Sequence, residues 1–80
     1  MKYERIRNLR EDNDLTQQNM ADKLFINRRT YSSYEIGERS MPIEVLISIA
    51  DIFNTSTDYL IGRTDVKKPY PKRNINSLMK

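Results

Sequence analysis

A chain of 80 residues makes one domain with a small core. It contains no Cys, which leaves no disulfide framework and no thiolate metal site and suits a reducing cytoplasm. The opening MKYERIRNLRED is charged with no apolar run, so no signal peptide is expected, and no stretch approaches the roughly 18 apolar residues of a membrane span.

The first predicted helix runs from about Lys2 to Asn13, with Tyr3, Ile6 and Leu9–Arg10 recurring every three to four residues. Asn13 and Asp14 break it. Thr16 caps a second helix that begins at Gln17, with Met20, Ala21 and Leu24 inward and Ala21 small enough to admit a close neighbour. Phe25 and Ile26 form a short connection. Asn27 then caps a third helix through Tyr31, Tyr34 and Glu35, with Gly37 as a natural left-handed stop. After a loop over residues 38–41, Pro42 suits the first position of a fourth helix reaching about Phe53, with Leu46, Ile49, Ala50 and Phe53 on one face. Ser56 or Thr57 caps a short fifth helix ending at Ile61, before Gly62. From Arg63 onward there is little to bury, and residues 63–80 read as a basic, disordered tail behind a domain at 1–62.

Charge is distributed unevenly along this order. Residues 63–80 hold Arg63, Lys67, Lys68, Lys72, Arg73 and Lys80 against Asp65, a balance of +5 within a net charge of +3, so residues 1–62 sum to −2. Residues 40–62 have no Lys or Arg but include Glu44, Asp51 and Asp58. One end can therefore face a polyanion while the other faces away or meets a partner. The third helix sharpens this point. Its first turn carries Arg28 and Arg29, where the helix dipole favours acids and each exposed cation costs roughly 0.3–1 kcal/mol. A polyanion outside the chain would offset that cost.

Two short helices joined by about three residues, the second opening on base-reading side chains, describe a helix-turn-helix. The string LREDNDLTQQNMADKLFINRRTYSSYEIGERSMPIEVLISIADIFNTSTDYLIG resembles the helix-turn-helix domain of lambda repressor, Cro and the wider xenobiotic-response-element class of bacterial and phage regulators. The resemblance covers about residues 4–62. It is carried by Leu15-Thr16-Gln17-Gln18, Met20-Ala21 with Leu24, Tyr34-Glu35 before Gly37, Arg39 with Pro42, Leu46 with Ile49-Ala50, and Ser56 ahead of Asp58-Tyr59-Leu60. It implies an all-α fold of five helices, the third in the DNA major groove, and dimers on half-sites roughly 34 Å apart.

Residue by residue, the resemblance implies base contacts by Arg28, Arg29 and Ser33, with Ser32 a lesser candidate. It implies phosphate contacts by Gln17 and by Arg39 with the backbone around Ser40, with Thr30 near the DNA backbone. Arg10 and Glu35 match a buried pair that holds the third helix in place. The arginine assignments also stand on chemistry, because a guanidinium can donate two bonds to O6 and N7 of guanine. Two positions depart from the family pattern. Phe25 stands where Gly is usual, so either it takes the left-handed conformation with its ring packed, or the turn differs. Ile36 stands where a polar residue is common.

The expected function is a sequence-specific regulator of transcription, a repressor, acting on a duplex operator. The alternative is an antitoxin of the same fold, binding a toxin protein through the acidic second half or the tail as well as its own operator. An enzyme is not expected: the chain has no His and no base–nucleophile motif. No cofactor or metal is expected. The expected homodimer surface is Phe53, Tyr59, Leu60 and Ile61, unless these pack on the first helix instead.

Overall fold

A computed structural model describes residues 3–71. Five helices follow in order: α1 Glu4–Asp12, α2 Gln17–Leu24, α3 Arg28–Glu35, α4 Ile43–Ile52 and α5 Thr57–Leu60. There is no strand among the described residues. The all-α, five-helix architecture is the one the sequence implied.

Local chemistry sets the helix starts. Thr16 Oγ1 accepts the Asn19 amide and Asn19 Oδ1 accepts the Thr16 amide, both at 2.9 Å, a reciprocal capping box at the head of α2. Asn27 Oδ1 accepts the Thr30 amide at 2.7 Å at the head of α3. At α5 the capping residue is Ser56, whose hydroxyl accepts the Tyr59 amide at 3.0 Å. Pro42 sits one position outside α4, as its N-cap with φ −60°, rather than as its first residue.

Turns follow from left-handed residues. Gly37, at φ 84°, turns the chain out of α3 without a Cβ penalty. Phe25 ends α2 at φ 58° and ψ 38°, the conformation for which Gly is the usual choice. Of the two alternatives left open for Phe25, the backbone takes the first but the ring does not pack: Phe25 is 94% exposed.

The core is Ile6 and Leu9 of α1, Met20 and Ala21 of α2, Tyr31 of α3, Leu46, Ile49 and Ala50 of α4, and Leu60 of α5. Each fully buried large side chain contributes about 1.5–3 kcal/mol, so this small set carries most of the cohesion. Tyr34, three residues beyond Tyr31 on α3, is only half-buried.

The expectation of a disordered tail from Arg63 is corrected over the described part. Residues 63–71 lie back on the helices: Thr55 Oγ1 donates to the Lys67 carbonyl at 2.6 Å and Tyr70 Oη donates to Asp58 at 3.0 Å. The Arg5 guanidinium donates to the carbonyls of Tyr59 and Thr64 and to the Asp65 carboxylate, and lies 4.4 Å from the Tyr59 ring centroid. Part-buried hydrogen bonds to backbone carbonyls and a ring face outweigh the polar composition there. Residues 72–80 of the expected tail lie outside the described residues.

Leu60 is likewise corrected as a dimer contact. It is 2% exposed, filling the core beneath α1. Phe53, Tyr59 and Ile61 are half-buried against the same core, and the Arg5 contact covers one face of Tyr59. The short fifth helix therefore buries much of its apolar side within its own chain.

Candidate nucleic-acid interface

α3 is positioned by one carboxylate. Glu35, at the end of α3, accepts Arg10 Nε on Oε2 and Arg10 Nη2 on Oε1, each at 3.0 Å. Arg10 Nη1 donates to the Leu15 carbonyl at 2.9 Å, which ties the turn into α2 to the same guanidinium. Tyr31 Oη donates to Glu35 Oε2 from one turn earlier in α3. The Glu35 side chain is 3% exposed and that of Arg10 is 12% exposed, so the pair is shielded from water and salt. The backbone adds a further link, from the Tyr3 amide to the Glu35 carbonyl at 3.2 Å.

The electrostatics agree with the geometry. Burial alone would push the Glu35 carboxyl up, but the bonds from Arg10 and Tyr31, with help from Gln17, outweigh it and hold the carboxyl below the usual glutamate value. The bond to Glu35 raises the Arg10 guanidinium further. Burial, then the bond to Glu35, pushes the Tyr31 hydroxyl far above the usual tyrosine value.

The opposite side of α3 has different surroundings. Arg28 and Arg29 are exposed in the first turn, which holds no acid. The chain then leaves α3 at Gly37 and folds back, so that the Ser33 carbonyl accepts the amides of Glu38 at 2.9 Å and Arg39 at 3.2 Å. That return brings Arg39 beside α3. Arg28, Arg29, Ser32, Ser33 and Arg39 line one open hollow with Ile36 and Glu38. Among the described residues, none of the Arg28, Arg29 and Arg39 side chains is bonded to an acid or to a carbonyl. A second open surface joins Arg28 to Thr16, Gln17 and Gln18 at the head of α2.

The other expected site residues differ in exposure. Ser32 and Thr30 are half-buried, Ser40 is exposed, and Gln17 is half-buried with its amide toward Glu35. Ser33 departs from its expected base-reading role. It is 7% exposed, and its hydroxyl donates to the Thr30 carbonyl at 2.7 Å. At 100° per residue Ser33 stands roughly 200° around the helix from Tyr31, on what periodicity marks as the outer side. The returning loop covers it there. Sequence reasoning missed the Tyr31 hydroxyl as a partner of Glu35, although the i, i+4 spacing was available as a signal.

A buttressed second helix of a short helix pair, opening on unpaired guanidiniums, defines a lambda repressor-like helix-turn-helix domain. The chain belongs to that family of DNA-binding transcription regulators: the helix-turn-helix family profile matches residues 6–60. It is 47% identical over 58 residues to YqaE, an uncharacterized HTH-type transcriptional regulator of Bacillus subtilis strain 168, across 72% of this chain and 50% of that protein. It is 38% identical over 72 residues to the HTH-type transcriptional regulator AnsR of the same organism, across 90% of this chain and 62% of AnsR. It is 42% identical over 60 residues to RstR, the cryptic phage CTXphi transcriptional repressor of Vibrio cholerae, across 75% of this chain and 54% of RstR. The chain thus spans between half and two thirds of the length of these relatives. No solved structure matches it. Among the described residues, no helix is long and apolar enough to cross a membrane.

Proposed function

We propose that this protein is a repressor of transcription that reads a duplex operator through α3. The observation that carries the reading is the hollow where Arg28, Arg29 and Arg39 converge with no acid bonded to any of them. Arg28 and Arg29 oppose the dipole of α3 from its first turn, and with Arg39 they present three like charges without a bonded acid, which a phosphate backbone with guanine edges would neutralise. Arg28 or Arg29 reads a guanine, with Ser32 beside them. Gln17, Thr30, Arg39 and the backbone near Ser40 hold phosphates and set the register. The repressor sense is supported by the name that RstR bears.

The protein acts in the cytoplasm as a homodimer on two-fold-related half-sites. With Leu60 in the core, the dimer contact falls on the half-buried edges of Phe53, Tyr59 and Ile61. Sedimentation with and without operator tests this, and a monomer on a single half-site argues against it.

The central test is selection of bound duplexes from a random pool at stated salt, since affinity falls steeply with ionic strength. The expected product is a palindrome containing guanine in each half. Arg28→Ala or Arg29→Ala then lowers discrimination at one base pair by about 1–3 kcal/mol, without lowering thermal stability. If both variants keep the wild-type preference across operator variants, α3 does not read bases.

A further inference from the structure

Tyr31 is wholly buried, yet it carries a hydroxyl into the core. A phenylalanine would fill nearly the same volume without a polar atom to satisfy. The hydroxyl is bonded to Glu35 Oε2, on the carboxylate that also receives both prongs of Arg10. Glu35 already has two charge-assisted donors from Arg10, so it does not need Tyr31 for satisfaction.

The hydroxyl adds stiffness. Arg10 and Glu35 are long side chains with many rotatable bonds, and a link built from them alone is compliant. Tyr31 is a two-torsion side chain packed in the core, and it bonds Glu35 from within the same helix. It therefore holds the carboxylate at one position relative to the α3 backbone. The Arg10 clamp then transmits that position to α1 and, through the Leu15 carbonyl, to the turn before α2.

We infer that Tyr31 is a positioning residue for base reading: through Glu35, its hydroxyl sets the rotation of α3 and so the direction in which Arg28 and Arg29 leave it. The inference rests on the DNA-reading role proposed above. Arg28 lies seven positions before Glu35, a lever of about 10 Å along the helix. A tilt of about 10° at that distance moves the guanidinium by almost 2 Å, well outside hydrogen-bond tolerance. Nonspecific phosphate attraction has no such tolerance to lose.

The test uses the full chain and the duplex recovered by random-pool selection, with a scrambled duplex at the same salt. Tyr31→Phe is compared with Ile49→Val, a core substitution on α4 away from the Glu35 network. Binding is measured at a temperature where circular dichroism finds all three proteins folded. Tyr31→Phe lowers the ratio of selected to scrambled affinity about tenfold, leaves scrambled binding within about twofold, and Ile49→Val moves neither. If Tyr31→Phe keeps the wild-type ratio, the hydroxyl is only structural and the inference falls while DNA reading stands. If both variants lose the ratio alike, the loss follows stability and the inference falls. If the wild type itself does not discriminate, the DNA-reading role fails, and this inference with it.

Discussion

The inner side of α3 and its outer side handle positive charge in opposite ways. On the inner side, Arg10 uses Nε, Nη1 and Nη2 on Glu35 and Leu15, next to a tyrosine hydroxyl bonded to the same carboxylate. On the outer side, Arg28, Arg29 and Arg39 are exposed and have no bonded acid among the described residues. A guanidinium with all three nitrogens engaged inside the fold holds elements together and has little left for a ligand. One with none engaged contributes nothing to cohesion and is available to an external anion. On the proposed reading, stability and recognition fall to different arginines, and substitutions can separate them.

The largest expected effect falls on the inner side. Glu35→Ala leaves the Arg10 guanidinium shielded from water without its partner, at a cost of about 3–5 kcal/mol in urea unfolding. A loss below about 1 kcal/mol would put this pair on the same footing as a surface ion pair and erase the contrast. Acid titration sharpens the same point. The Glu35 carboxyl is held below its ordinary value of 4.5, so its contribution is complete above that pH. The contribution fades as pH falls from there through the depressed folded value. Tyr31 gives the opposite limb: its hydroxyl is raised, so its contribution holds below about pH 10 and declines as the unfolded tyrosine ionises above it. The acid limb should be absent from a Glu35→Gln variant followed by circular dichroism.

The Arg5 clasp is the next largest. Arg5→Ala removes two bonds to carbonyls and the stacking on Tyr59, and lowers stability by about 1–2 kcal/mol. Phe25→Gly acts in the other direction. It relieves a left-handed conformation, and the ring it removes is 94% exposed, so melting rises by an amount corresponding to about 1 kcal/mol. Phe25→Ala keeps the strain and should not share that gain. The smallest effect is at Asp65, whose side chain is 97% exposed against Arg5: Asp65→Asn leaves the urea midpoint in place.

The starts of α2, α3 and α5 were legible in the sequence because they depend on side chains bonding amides within three residues. Thr16 and Asn27 cap where their types and positions said they would, and Ser56 resolves the choice between two neighbours. The Arg10–Glu35 pair was legible only through family resemblance, since nothing local links residues 25 positions apart. Ser33 was placed among the base readers by family resemblance, and its burial was not legible because it comes from a loop returning at residues 38 and 39, outside the helix itself. The segment at 63–71 was misread because its composition is polar, while its anchors are Arg5, Thr55 and Asp58 elsewhere in the chain.

The amino-acid order by itself determined five helices, their caps, their apolar stripes and the two cations at the head of α3, because each arises from bonds and periodicities spanning a few residues. Tertiary structure alone decided which arginines are spent and which remain available, that Leu60 lies inside, and that a tyrosine hydroxyl joins the Glu35 carboxylate. Those outcomes depend on which side chains meet across elements, and pairing across space is a property of the packed molecule rather than of any window of its chain.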